Sequence, residues 1–364
     1  MKLLFLACLS PSTGNCTTAA RIREYIQDSG HICVLRDVAD FKSSSQVSEL
    51  ISKEKFEAGL VIHLYKGGRL LLESSVPFGA IFGGTDINED IKDEKKSKVM
   101  RAVLQKARFL VAFTDQLKKT AELHWQFASS KIHVQPQGVV TNPCEKFNWR
   151  EFLQSSVFSR RKKISMQPCE TDLVFLINSG IRKENIDLYV FLLVCGLREV
   201  KDPLYLVDIF SEWHKKEPWV YLIIIGPKID PMFAQLVEDK IKRSCGVYLL
   251  SELSQEELHA AMKDSFAVVN SSISEGMSSA ILEAMDLKVP VLARNIPGNK
   301  ELIRHEHTGL LFSNPQEFVE LSRLLINDTA LKERLVVQAK DYVQEYHSWQ
   351  AEKETYQKLT TGLL

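Results

Sequence analysis

Ser274-Glu275-Gly276-Met277-Ser278-Ser279-Ala280-Ile281-Leu282-Glu283-Ala284-Met285 is the stretch on which this chain turns. Its two glutamates stand eight positions apart, the first followed by glycine and the second reached through an apolar run. Ser278 or Ser279 suits a helix N-cap, and the spacing predicts a helix to about Lys288. Ala280, Ile281, Ala284 and Met285 give that helix one buried stripe. Val289-Pro290-Val291-Leu292-Ala293 then reads as a buried strand with proline at its start. Glu275 is thereby placed in the loop at the helix N-terminus and Glu283 in the second turn. The free backbone N–H groups of the first turn form an anion site between them. A ligand with hydroxyls at both ends and phosphates in the middle matches this layout, and a nucleotide-sugar is such a ligand.

Outward from this stretch, both halves of the chain alternate strand and helix patterns. In the first half, Lys2–Leu9, His31–Leu35, Gly59–Leu64, Ala80–Phe82, Phe109–Phe113 and Ile132–Val134 read as strands. Thr17–Asp28 and Lys95–Lys106 read as helices between them. In the second half, Phe191–Cys195, Val220–Ile225, Gly246–Leu250, Ala267–Asn270 and Val289–Ala293 read as strands. Such alternation with short links implies parallel sheets covered on both faces. The polar stretch Glu145–Thr171 is the expected link, and Pro315–Leu364 reads as helical.

Composition excludes several classes. The chain has 364 residues, 45% hydrophobic and 25% charged, which suits two globular domains. Lys+Arg and Asp+Glu both number 46, so no global charge draws nucleic acid or a membrane surface. Seven scattered cysteines, with no C-x-x-C pair, argue against a disulfide framework or a thiolate metal site. No apolar run reaches membrane-spanning length. The apolar Leu3–Leu9 after Met1-Lys2 reads as a retained first strand, which favours a cytoplasmic protein; a cleaved signal peptide and a secreted protein is the alternative.

The Glu275–Glu283 stretch resembles the E-x7-E donor motif of retaining GT-B glycosyltransferases of the family-four type. The resemblance implies that Glu275 holds the transferred sugar and Glu283 the ribose hydroxyls, with Gly276, Met277 and Ser278 on the donor between them. Gly196-Leu197-Arg198-Glu199-Val200-Lys201-Asp202-Pro203 resembles the family segment whose arginine and lysine grip the donor diphosphate, with Arg198 and Lys201 closer together than is common there. Two cations at a strand end neutralise a leaving group that gains charge as its bond to the sugar breaks. The alternative is a pair of surface charges matched by Glu199 and Asp202. Tyr221-Leu222-Ile223-Ile224-Ile225-Gly226-Pro227 resembles the family's next strand and its G-P turn.

The first half resembles the family less closely. Gly14, in the loop Ser10–Asn15, is a candidate for close backbone approach to the diphosphate. His63 matches a histidine that the family places near the sugar, while Lys66 stands where many relatives have a second histidine. A structural hydrogen-bonding role for His63 is equally compatible with its position. Gly83-Gly84-Thr85-Asp86 resembles a G-T-D turn that shapes the acceptor side or caps the next segment.

The resemblance implies an α/β GT-B fold of two Rossmann-like, doubly wound parallel-sheet domains facing a cleft. Residues 1–165 are expected as the acceptor-side domain with the linker, 166–345 as the donor domain, and 346–364 as a helix crossing back. The implied activity moves a hexose from a nucleotide diphosphate sugar to a glycan, lipid or protein acceptor with retention. The sugar nucleotide is the co-substrate and no other cofactor is expected. No DxD-type motif stands at a suitable strand end, so Arg198 and Lys201 are expected to replace a metal. Two other readings stay open: an epimerase or phosphorylase on this fold, and a degenerate sugar-nucleotide binder.

Overall fold

The computed structural model describes residues 1–10, 14–149, 151–153, 155 and 188–363. It divides into two compact units. The first is Met1–Val139 with Glu275–Ser278 and Glu345–Leu364; the second is Val140–Ser274 with Ser279–Gln344. The expected boundary at 165/166 and most of the expected link lie outside the described residues.

The first unit holds β1 (Lys2–Ala7), β2 (Ile32–Asp37), β3 (Ala58–Ile62), β4 (Phe78–Ile81), β5 (Leu110–Ala112) and β6 (Ile132–Val134). They form one parallel sheet in the order β2-β1-β3-β4-β5-β6. β1 is bonded on both edges, and its Leu3–Ala7 run is fully buried, as a strand covered on both faces requires. α1 (Gly14–Asp28) turns Thr18, Ala19, Ile22, Tyr25 and Ile26 inward. α2 (Ser44–Glu54), α3 (Thr85–Asn88), α4 (Glu94–Lys106) and α5 (Asp115–His124) follow. Ser43, Asp93 and Thr114 cap α2, α4 and α5, each side chain accepting from a first-turn N–H.

The C-terminal helix Trp349–Thr361 returns to this unit and packs on α1. Its Glu352 is fully buried and takes the Arg21 guanidinium with both oxygens, Nε to Oε2 at 2.8 Å and Nη2 to Oε1 at 3.1 Å. Removing either partner would strand a buried charge.

The second unit repeats the plan with β7 (Tyr189–Val194), β8 (Val220–Ile225), β9 (Val247–Leu250), β10 (Ala267–Asn270), β11 (Val291–Arg294) and β12 (Leu310–Phe312). All are parallel, in the order β12-β11-β10-β7-β8-β9. The helices are α6 (Val207–Lys216), α7 (Pro231–Ile241), α8 (Gln255–Lys263), α9 (Ser279–Asp286), α10 (Pro297–Lys300), α11 (Pro315–Asn327) and α12 (Thr329–Tyr346). Its core centres on aromatic rings: Phe191 lies edge-on to Phe210 at 5.7 Å and to Phe318 at 5.9 Å.

α9 ends at Asp286, short of the expected Lys288, because the chain turns left-handed there. Lys288 has φ 59°, and the Val289 N–H reaches back to the Ala284 carbonyl at 2.8 Å. Among the described residues no helix is long and apolar enough to cross a membrane. In each sheet the direction of winding reverses once, between β1 and β3 in the first and between β7 and β10 in the second. Loops at the C-terminal ends of such strand pairs diverge and leave a crevice, where ligands of open α/β sheets bind.

Candidate active site

In the second unit the segment after β7 carries Arg198 and Lys201, and the segment after β10 runs toward Glu275. The β7 exit is pinned by two backbone bonds, Cys195 N–H to the Ile225 carbonyl at 3.0 Å and Leu197 N–H to the Pro227 carbonyl at 2.8 Å. Gly226 permits this approach: a Cβ there would stand 1.9 Å from the Cys195 carbonyl oxygen. The two exits are also fastened to each other. Ser271 Oγ donates to the Lys201 carbonyl at 3.1 Å, and the Ile273 N–H to the Val200 carbonyl at 2.9 Å.

Arg198 is exposed and makes no ion pair with the described residues. Asp202, one of the two acids that could have matched it, is engaged elsewhere. Asp202 adopts φ 42°, and its carboxylate takes Arg294 Nη1 at 3.0 Å. Arg294 also donates to the Ser271 carbonyl at 3.3 Å, and its guanidinium lies 3.9 Å from the centre of the Tyr205 ring. Arg294, at the end of β11, thus removes a negative charge from the turn that presents Arg198.

Glu283 lies in the second turn of α9, as expected, and is only 9% exposed. Its Oε1 accepts from Gln255 Nε2 at 3.0 Å, and its Oε2 stands 3.8 Å from His259 Nε2. Both partners come from α8. The carboxylate is held, not solvated, and two side chains that the sequence reading did not single out hold it.

The remaining expected residues belong to the first unit. Gly14 is the exposed first residue of α1, and residues 11–13 before it lie outside the described residues. His63 follows β3, with φ 81° and 1% exposure. Its Nδ1 accepts the Lys66 N–H at 3.1 Å, so the ring proton sits on Nε2, 3.1 Å from Thr85 Oγ1. Burial pushes its pKa below the usual imidazole range, against the opposing pull of Asp86. Asp86 is fully buried and accepts the N–H groups of Leu64 at 2.8 Å and of Gly83 and Ile87 at 2.9 Å each. It therefore caps backbone.

The turn before Asp86 links His63 to the donor stretch. A Cβ on Gly83 would meet the His63 ring at 3.0 Å, and one on Gly84 would lie 3.1 Å from Gly276 Cα. Gly84 has φ 82°, so glycine is required there on two grounds. Met277 packs against the hydrophobic core of this unit, Ser278 is buried, and Glu275 is half-buried. Glu275–Ser278 and Glu283 thus fall in different units.

Among the described residues no three His, Cys, Asp or Glu side chains are grouped to hold a metal ion. The residues described above offer a fixed cation, an oriented carboxylate and backbone N–H groups.

Known proteins resemble this chain in sequence and in fold. Residues 178–342 match the family model described as glycosyl transferases group 1. A Xenopus tropicalis protein named glycosyltransferase 1 domain-containing protein 1 is 54% identical over 363 residues, covering 100% of this chain and 98% of that protein. The Anabaena protein Alr3699/HepE, solved in complex with UDP-glucose, superposes with a TM-score of 0.71 at 15% identity, covering 100% of both chains. Sucrose-phosphate synthase from Thermosynechococcus elongatus gives a TM-score of 0.71 at 13% identity, covering 100% of this chain and 99% of that one. Two six-stranded parallel sheets with flanking helices and these neighbours make the fold GT-B, and the full-length match shows that the chain belongs to the group 1 glycosyltransferases.

Proposed function

We propose that the chain transfers a hexose from a nucleoside diphosphate sugar to a hydroxyl-bearing glycan, lipid or protein, with retention of configuration and without a divalent metal. The observation that carries this reading is Arg198: an exposed cation at the strand-order reversal of the second sheet, whose neighbour Asp202 is neutralised by Arg294. A diphosphate leaving group gains charge as the sugar C1–O bond breaks, and a cation already in place stabilises that charge without reorganising. Lys201, with its carbonyl held by Ser271, supplies the second cation.

In this reading Glu275 orients the sugar, and Glu283 receives the ribose hydroxyls. Gly276, Met277 and Ser278 bring the chain along the donor to α9, and Gly14 allows a close backbone approach to the diphosphate. His63 is a positioning residue: both ring nitrogens are engaged, and they fix the loop that carries Lys66 and the turn that faces Gly276. The acceptor hydroxyl attacks C1 on the face the diphosphate leaves. Its proton passes to the departing phosphate oxygen, so the products are the glycoside and the nucleoside diphosphate.

The test is a panel of nucleoside diphosphate sugars, UDP-hexoses first because the Anabaena neighbour is solved with UDP-glucose. Release of nucleoside diphosphate is followed with and without an acceptor mixture. Acceptor-dependent release, a product of unchanged anomeric configuration and indifference to a chelator are expected. Acceptor-independent conversion of the sugar would establish an epimerase, and tight binding with no turnover a degenerate binder. Activity lost to a chelator and restored by magnesium or manganese would remove the metal-free element.

A further inference from the structure

We infer that His259 and Gln255 are positioning residues for nucleotide recognition, holding the Glu283 carboxylate in the orientation that meets a ribose diol. The inference rests on the reading of Glu283 given above. Both residues lie on α8 four positions apart, hence on one face of the helix. That face meets Glu283 on α9: the Gln255 amide nitrogen stands 3.0 Å from both Glu283 Oε1 and His259 Nε2, and the imidazole lies 3.8 Å from Oε2. The longer distance is an electrostatic contact and not a hydrogen bond.

The imidazole is itself set from outside the pair. His259 is 3% exposed, and its Nδ1 accepts the Asn142 N–H at 3.0 Å. Asn142 is fixed in turn, since its Nδ2 donates to Glu256 Oε1 at 3.1 Å and the Cys144 N–H to the Glu256 carbonyl at 3.0 Å. The strap at 142–144 therefore fixes the imidazole, the imidazole abuts the Gln255 amide, and that amide donates to Glu283 Oε1. A carboxylate has about four lone-pair positions. One donor from α8 leaves acceptor capacity on the carboxylate, which a vicinal diol fills with two O–H groups. A helix pair that needed only packing would place apolar side chains at this point.

The experiment uses the full chain and calorimetry. The four common ribonucleoside diphosphates are titrated, and the tightest is taken forward with its 2′,3′-dideoxy analogue. Glu283→Gln serves as reference and should weaken the ribonucleotide about tenfold or more while leaving the dideoxy analogue unchanged. His259→Leu should weaken the ribonucleotide about five- to tenfold and also leave the dideoxy analogue unchanged. His259→Gln, which keeps a polar side chain against the Gln255 amide, should recover most of the loss. Gln255→Leu should behave like His259→Leu, and His259→Leu combined with Glu283→Gln should be no weaker than Glu283→Gln alone.

Equal losses on both nucleotides would show that His259 only supports the fold and would overturn the inference. So would full affinity in His259→Leu beside a weakened Glu283→Gln. If Glu283→Gln binds normally, or no nucleoside diphosphate binds, the reading of Glu283 fails first and is identified as the failing step.

Discussion

Both units reverse their strand order at one place, yet they use that place differently. At the first reversal the loop after β3 turns its polar groups onto itself. His63 is buried at φ 81° with both ring nitrogens occupied, and the Gly67 and Gly68 N–H groups return to the His63 carbonyl at 3.1 Å each. At the second reversal the backbone is fastened just as firmly, but Arg198 is left outward. The lesson is that a shared topology supplies the crevice and not its chemistry. What sets the second unit apart is a rigid exit that holds an exposed arginine, and a second arginine, Arg294, that takes up the Asp202 charge four positions on.

The largest expected effect breaks this contrast. Arg198→Ala should lower turnover by about a hundred- to a thousandfold and donor affinity much less, because the charge it meets develops mainly in the transition state. Lys66→Ala, the exposed lysine after β3, should change turnover far less. Initial rates over a range of donor concentrations check both, and similar losses in the two variants would erase the distinction between the units.

Gly226→Ala attacks the scaffold and leaves the charge in place. Its Cβ would collide with a backbone oxygen that cannot rotate away, so the expected destabilisation is about 3 kcal/mol or more. Urea unfolding measures it, and a loss within experimental error would mean that the β7 exit is not held as described.

Acid should act on both units through buried neutral histidines. Burial depresses the pKa of His63 and His347 in the first unit and of His214 in the second. Their unfolded pKa is near 6.5. The unfolded chain therefore binds more protons as pH falls, and the stability present above about pH 6.5 is lost below it. Between pH 7.5 and 5.5 each such histidine costs at most about 1.4 kcal/mol. The urea midpoint should fall over this range, and His347→Gln should fall less. An unchanged or rising midpoint in the wild type would contradict the assignment.

The smallest effect sharpens the picture of α9. Lys288 closes that helix at φ 59°, a conformation that suits glycine better than a residue with a Cβ. Lys288→Gly should stabilise the protein by roughly 0.5–1 kcal/mol, read as a rise in the urea midpoint with an unchanged slope.

Much of this arrangement was legible in the sequence, and the limits have physical causes. Buried parallel strands declare themselves as apolar runs, so β1, β7 and β8 were placed within one or two residues. β12, only Leu310–Phe312, is too short to stand out, and α2 was missed because its amphipathic stripe is thin, with Val47 and Ile51 its buried residues. The donor stretch gave α9 and the place of Glu283. It did not give Gln255 and His259, which reach Glu283 from 28 and 24 positions away, nor Arg294, which meets Asp202 from 92 positions away. Such pairings follow from strand order and carry no local pattern. Glu352 illustrates the same limit: it sits in a polar segment but is fully buried by its pairing with Arg21.

The most direct test is Glu275→Gln, which preserves size and removes charge. Nucleoside diphosphate affinity, sugar transfer and melting temperature are measured on one preparation. If Glu275 orients the sugar, nucleotide affinity and melting temperature should remain near wild type while transfer falls sharply, because the hexose is no longer held for attack. Normal transfer by a well-folded variant would contradict the donor-site assignment. A large loss of melting temperature would show instead that Glu275 serves the N-terminus of α9 as a countercharge to its dipole.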